Sequence, residues 1–209
     1  MSEIRVLVVE DDPIIAAEIS TYLNGLDFKL SGKCYSAAKA YRELEINPPD
    51  IALLDINLNG EPTGIEIGKY IKKKLGIPFI YLTSYADRGT LEAVKPTEPA
   101  GYIVKPFTEK DLLANLEIAL FNHAARIKNK LKKPDLEILN KNLEQPLTSR
   151  EFELLLQLQD GKTNRQIGED TFVSVNTVKT HLKNLFLKLD VPTRTAAAAK
   201  IQDLMRMGF

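Results

Sequence analysis

The sequence predicts two domains of different class: an α/β domain built on a parallel sheet, followed by a small all-helical domain. Three observations carry this expectation. The apolar runs Val6-Leu7-Val8-Val9 and Ile51-Ala52-Leu53-Leu54 show no alternation, as expected of strands covered on both faces. Such runs alternate with amphipathic stretches of helical length as far as Leu120, which is a βαβ series. From Leu147 onward no strand pattern is seen and helix-capping signals crowd together.

Taken in order, Ile4 to Val9, Phe28 to Tyr35, Ile51 to Leu54, Phe79 to Thr83 and Tyr102 to Val104 read as strands. After Thr108 a helix is expected, with Leu112, Leu116, Ala119 and Leu120 at helical spacing. It runs into a polar, Lys-rich stretch from Arg126 to Lys133, ended by Pro134, which reads as a linker. Thr148-x-x-Glu151 and Thr163-x-x-Gln166 have capping-box form, and Gly161 suits a helix C′ position. A short helix is expected over Asn164 to Asp170. A longer one follows over Val175 to Leu189 behind the N-cap candidate Ser174, with Val178, Leu182, Leu185 and Leu189 on its buried face. Two helices joined by so tight a connection form the helix-turn-helix pattern. The expected boundaries are a first domain over 1–125, a linker over 126–146 and a second domain over 147–209.

At 209 residues, with 44% hydrophobic and 27% charged residues, the chain is long enough for two cores. Its single cysteine, Cys34, forms no internal disulfide, and the opening Met1-Ser2-Glu3 lacks the basic and apolar regions of a signal peptide. No apolar run approaches the roughly 20 residues that span a bilayer. A cytoplasmic protein without a membrane partner is expected. Net charge is zero, but its distribution is uneven. Residues 1–121 carry 13 Lys/Arg against 18 Asp/Glu, whereas residues 122–146 carry 6 against 3 and residues 147–209 carry 9 against 7. An acidic front joined to a basic back suggests different partners for the two halves.

In an open parallel sheet, side chains that do chemistry collect at the carboxyl ends of the strands. Here strand one ends in Glu10-Asp11-Asp12, strand three in Asp55, strand four in Thr83-Ser84 and strand five in Lys105-Pro106. Carboxylates placed together repel and call for a cation, and hard oxygen ligands with room for water favour Mg²⁺. A carboxylate held in line with a phosphoryl donor serves as nucleophile, while a lysine neutralises the oxygens of the transferring group. Asp55 is the candidate phosphoacceptor and Lys105 the phosphate clamp. Each signal alone has a plainer explanation: an Asp at a strand end is usually a cap or turn residue, Lys105-Pro106 an ordinary turn, and Tyr102 a half-buried strand aromatic. Their joint order over one hundred residues is what points to chemistry.

Val8-Val9-Glu10-Asp11-Asp12-Pro13, Leu54-Asp55-Ile56-Asn57-Leu58, Leu82-Thr83-Ser84 and Tyr102-Ile103-Val104-Lys105-Pro106-Phe107 resemble the receiver domain of two-component response regulators. The resemblance implies a flavodoxin-like (βα)5 fold with sheet order 2-1-3-4-5. It implies that Glu10 and Asp11 hold Mg²⁺ together with the Asp55 side chain and the backbone carbonyl of Asn57. By the same resemblance Thr83 bonds the phosphoryl oxygen after modification, and Tyr102 is an aromatic switch that follows that hydroxyl. Asp12 falls one place past the acidic pair and takes a lesser role.

On the helix Val175 to Leu189 the face opposite the apolar one carries Asn176, Lys179, Thr180, Lys183 and Asn184, and Val173 to Lys188 holds three lysines and no acid. Such a helix can enter a major groove without electrostatic penalty. Leu147-Thr148-Ser149-Arg150-Glu151, Gly161 to Ile167 and Val173 to Leu182 resemble the LuxR/NarL-type DNA-binding domain. That resemblance implies that Lys179, Thr180 and Lys183 approach bases or phosphates, with Thr163, Asn164 and Asn184 as backbone contacts and Glu151 as scaffold. Gly168 and Thr171 stand where the family has Ala and Leu, which predicts a weaker or shorter first helix. The expected function is a transcription factor controlled by phosphorylation at Asp55. Its expected partners are a sensor histidine kinase or phosphotransfer protein, double-stranded DNA and a second copy when active. It is expected to have no separate substrate turnover. The alternative is a receiver linked to a protein-binding module without DNA binding. A phosphatase is disfavoured because Asn57, two residues after Asp55, is not an acid able to act as general acid or base.

Overall fold

The computed structural model describes residues 3–24, 27–60, 62–84, 88–128 and 134–207. The chain falls into two compact units, one built on residues 5–120 and one on residues from 121 onward.

In the first unit five strands form one sheet: β1 (Ile4–Val9), β2 (Phe28–Cys34), β3 (Ile51–Asp55), β4 (Phe79–Thr83) and β5 (Gly101–Val104), in the order β2-β1-β3-β4-β5. The pairs β1–β3, β3–β4 and β4–β5 are parallel, with Val9 opposite Leu54, Asp55 opposite Leu82 and Thr83 opposite Val104. Every residue of β3 and β4 is buried, which is the physical reason their sequences do not alternate. The strands are linked by α1 (Pro13–Tyr22), α2 (Ala37–Ile46), α3 (Gly64–Tyr70) and α4 (Arg88–Val94), and α5 (Glu109–Lys128) follows β5. Asp12 caps α1, accepting from the Ile14 N–H at 2.8 Å, so its carboxylate is committed to the helix end. A Thr63/Glu66 capping box opens α3, which continues into a π-helical turn (Ile71–Leu75) closed by Gly76 at φ 63°. A 3₁₀ turn (Lys95–Thr97) extends α4.

The second unit contains α6 (Leu136–Lys141), α7 (Ser149–Gln159), α8 (Asn164–Thr171), α9 (Val175–Leu189) and α10 (Arg194–Met207). Leu139, Leu155, Ile167, Leu182, Leu185 and Ile201 share its core. Helix α6 lies within the span read as linker: Asp135 caps it through the Glu137 and Ile138 N–H groups, and Leu139 is fully buried. Of the Lys-rich stretch, Arg126 to Lys128 complete α5, while residues 129–133 lie outside the described residues. Capping boxes open α7 and α8, and Gly161 takes φ 74° behind α7. Helix α8 ends at Thr171 with Phe172 left-handed at φ 54°. Gly168 proves to be a packing requirement, because a Cβ there would lie 2.8 Å from the Val173 carbonyl oxygen in the turn that leads to α9.

Candidate functional site

The order β2-β1-β3 makes the carboxyl ends of β1 and β3 neighbours at the point where the chain changes direction across the sheet. Glu10 follows β1, with its N–H bound to the Cys34 carbonyl at 3.0 Å, and Asp55 ends β3. Both side chains are buried, at 1% and 6% exposure. Lys105 follows β5; its backbone N–H donates to the Thr83 carbonyl at 2.8 Å, which aims the side chain back over the sheet edge. Its Nζ donates to Glu10 Oε2 at 2.6 Å and to Asp55 Oδ2 at 3.0 Å. The other oxygen of each acid takes a backbone N–H: Asn57 to Asp55 Oδ1 at 3.2 Å and Asp12 to Glu10 Oε1 at 3.4 Å.

Oxygens of Glu10, Asp11 and Asp55 lie within 4.8 Å of one another. Burial, and then the Asp55 charge, push the Glu10 carboxyl up to about 7 against the opposing pull of Lys105. Burial works against the Lys105 ammonium, but its bonds to Glu10 and Asp55 outweigh that and raise its pKa above the ordinary lysine value. Two of the three carboxylates share one ammonium and the third, Asp11, lies beside them, and this all-oxygen donor set fits a hard divalent cation such as Mg²⁺. Thr83 ends β4 beside this edge and is buried. Asn57 exposes its side chain. The half-buried ring of Tyr102 is stacked on Tyr81 with centroids 6.1 Å apart. Gly64, which no sequence motif marks, brings the start of α3 against Asp55: a Cβ there would stand 1.9 Å from the Asp55 carbonyl oxygen.

In the helical unit, Ser174 caps α9 by accepting from the Thr177 N–H at 3.1 Å. Asn176, Thr180, Lys183 and Asn184 are exposed on α9, and Lys179 is half-buried. Lys188 serves the scaffold, bonded to Glu151 Oε2 at 2.7 Å and to the Pro146 carbonyl at 3.1 Å. Thr163 and Asn164, expected as contacts to a nucleic-acid backbone, are 1% and 0% exposed. Thr163 caps α8 by accepting from the Gln166 N–H, and Asn164 is enclosed at the first turn of α8, so their side chains build the motif and are not presented to solvent.

The family model for the response regulator receiver domain matches residues 6–117, more than half of the chain. The chain belongs to the response regulators. A second model, for bacterial regulatory proteins of the luxR family, matches residues 145–201 of the response regulator, from just before α7 into α10. It is 31% identical over 202 residues to the transcriptional regulatory protein LiaR of Bacillus subtilis, covering 93% of this chain and 95% of the relative. It is 29% identical over 203 residues to the response regulator protein VraR of Staphylococcus saprophyticus, covering 93% and 94%. Among solved structures, the signal receiver domain of a modulated diguanylate cyclase from Desulfovibrio desulfuricans G20 aligns with a TM-score of 0.55 at 31% identity, covering 58% of this chain and 97% of that one. The response regulator is therefore a transcription-regulating protein and not a conventional enzyme. Among the described residues no helix is long and apolar enough to cross a membrane.

Proposed function

We propose that Asp55 accepts a phosphoryl group from a sensor histidine kinase or phosphotransfer protein in the cytoplasm, and that this modification controls binding of α9 to double-stranded DNA. The observation that carries the reading is the Lys105 ammonium, bonded at once to Asp55 and Glu10 at the carboxyl edge of the sheet. In the transfer, an Asp55 oxygen forms a bond to phosphorus, the bond from phosphorus to the donor's imidazole nitrogen breaks, and the freed nitrogen takes up a proton. Lys105 offsets the negative charge of the equatorial oxygens. Glu10, Asp11, Asp55 and the Asn57 carbonyl would hold Mg²⁺, which when bound supplies further neutralisation of the same oxygens. Thr83, beside Lys105, donates its hydroxyl proton to an oxygen of the new group, and Tyr102 follows it.

On the DNA side, Lys179, Thr180 and Lys183 read bases or phosphates and Asn184 contacts the backbone, while Thr163 and Asn164 act by fixing α8 beneath α9. The working division is a receiver over 1–125, a linker over 126–146 and a DNA-binding domain over 147–209, with two copies meeting on an inverted repeat. The test is selection from random duplex DNA with the full chain, treated with acetyl phosphate and Mg²⁺, beside Asp55→Asn. The expected result is one enriched motif, stronger after treatment of the wild type and indifferent to treatment in Asp55→Asn, with intact mass reporting one phosphoryl group on the wild type alone. Enrichment from neither protein would leave a protein-binding module in its place.

A further inference from the structure

The middle of β4 holds a phenol where a strand buried on both faces needs only hydrocarbon. Tyr81 is 0% exposed, and a buried hydroxyl is costly unless it is bonded. Its oxygen lies 3.0 Å from Thr97 Oγ1. Thr97 is also enclosed, and its hydroxyl lies 2.7 Å from the Val94 carbonyl, which can only accept. The one proton of Thr97 therefore goes to Val94, and Tyr81 donates to Thr97. Two linked hydrogen bonds thus run from the centre of the sheet to the last residue of α4. Burial raises the phenol's pKa to about 12, which keeps the donor protonated.

Room for this hydroxyl has been cut into the neighbouring helix. A Cβ on Gly68 of α3 would lie 2.1 Å from the Tyr81 oxygen. A phenylalanine could fill the remaining core, packing edge-on to Phe79 as the Tyr81 ring does at 5.4 Å. The hydroxyl and its hole serve the bond to Thr97. The opposite contact is Tyr102: the two residues are partners across β4 and β5, and their rings stack at 30°. Thr83 stands two residues along β4 from Tyr81 and so faces the same side of the sheet.

We propose that Tyr81 is a positioning residue that links the ring of Tyr102 to the C-terminal end of α4 through Thr97 and Val94. This rests on the reading that Tyr102 moves when Asp55 is modified. When the Tyr102 ring leaves its place on Tyr81, the phenol shifts, and the hydrogen-bonded chain carries that shift into the last turn of α4. The hydroxyl gives the coupling its direction, because ring packing alone would not engage Thr97.

The test uses the full chain with one fluorotyrosine at position 102 and beryllofluoride with Mg²⁺ as the phosphoryl mimic. Fluorine resonance reports the Tyr102 ring, and hydrogen exchange over 89–97 reports α4. Tyr81→Phe removes the hydroxyl. The pair Tyr81→Phe with Gly68→Ala places a methyl group in the vacated space, 3.0 Å from ring carbons of Phe79 and of residue 81, so the two rings must give by a few tenths of an ångström and the hole is filled without the hydrogen bond. In the wild type and in Thr97→Ser, beryllofluoride is expected to shift the fluorine signal and to change α4 exchange several-fold. In both variants lacking the hydroxyl the fluorine shift is expected to persist while the change at α4 is largely lost. A wild-type response at α4 in the repacked double variant overturns the proposal. A fluorine signal in the wild type that ignores beryllofluoride overturns the reading of Tyr102 itself, and the coupling with it.

Discussion

Gly64→Ala sets two physical effects against each other beside the phosphoacceptor. Alanine is the better helix former by about 1 kcal/mol, and Gly64 opens α3, so local propensity predicts a more stable protein. The structure predicts the reverse. A Cβ at 64 would stand 1.9 Å from the Asp55 carbonyl oxygen and 2.8 Å from its carbon. A relaxed carbon-to-oxygen contact needs about 3.3 Å, so the two backbones must part by more than ~1 Å. Neither yields easily. Asp55 is held in register opposite Leu82, and the start of α3 is fixed by its capping box and by the Gly64 N–H on the Ile56 carbonyl at 3.2 Å. Overpacking costs about 1–3 kcal/mol, and with main chain on both sides the upper end applies. After the propensity gain the net loss is about 2 kcal/mol, or roughly 6–10 °C in the melting of this unit. Thermal unfolding of the full chain followed by circular dichroism reads it, with Gly76→Ala as control. There a Cβ meets nothing within 4 Å, and the left-handed backbone alone costs about 1 kcal/mol. A Gly64→Ala protein melting at or above the wild-type temperature would refute the argument from close approach.

Glu151→Ala strips Lys188 of its carboxylate partner, leaving only the Pro146 carbonyl, and α7 of half its capping box, so urea unfolding of the helical unit should show a loss of about 3 kcal/mol. Burial raises the Glu151 pKa, but Lys188 and Thr148 outweigh it and hold the folded-state value below normal. The resulting stabilisation is therefore present above the ordinary carboxylate range and fades as pH falls through the folded value; an advantage over Glu151→Gln that grows on acidification would contradict this. Phe172→Asn should raise the urea midpoint by the equivalent of about 0.5–1 kcal/mol, since the residue is 96% exposed and left-handed, a conformation asparagine adopts at lower cost than phenylalanine. If α9 reads DNA as proposed, Lys179→Ala should weaken binding by about 1–3 kcal/mol and flatten its salt dependence; an unchanged titration at two salt concentrations would remove Lys179 from the interface.

The sheet was legible because a buried parallel strand leaves a continuous apolar run, and β1, β3 and β4 leave such runs. The acidic edge was legible because strand ends point to one place once the order is known, which puts Glu10, Asp55 and Lys105 together although 95 positions separate the outermost pair. Burial of single polar residues was not. The Thr163-x-x-Gln166 signal correctly marks a helix start, but nothing in it shows that Thr163 and its neighbour Asn164 are buried; a cap consumes the Thr163 side chain, and enclosure of Asn164 by neighbouring helices is a tertiary fact. Helix α6 was hidden for a local reason, since Leu136-Glu137-Ile138-Leu139 is short and stands behind a run of lysines. Gly64 and Gly68 gave no signal, and Gly168 stood out only as a helix-weakening departure from the family's Ala, because the close approach a glycine permits is a tertiary fact.

That the Lys105 ammonium holds two carboxylates at once has a consequence for the timing of entropy loss. A free lysine side chain has about 2 kcal/mol of rotamer freedom to lose when it is fixed on a ligand. Here the ammonium is already anchored on Glu10 and Asp55, so that freedom was surrendered when the domain folded. A phosphoryl group arriving at Asp55 would meet a cation that needs to change partners but not to be gathered in from solution, and the barrier to transfer would contain no contribution from ordering it.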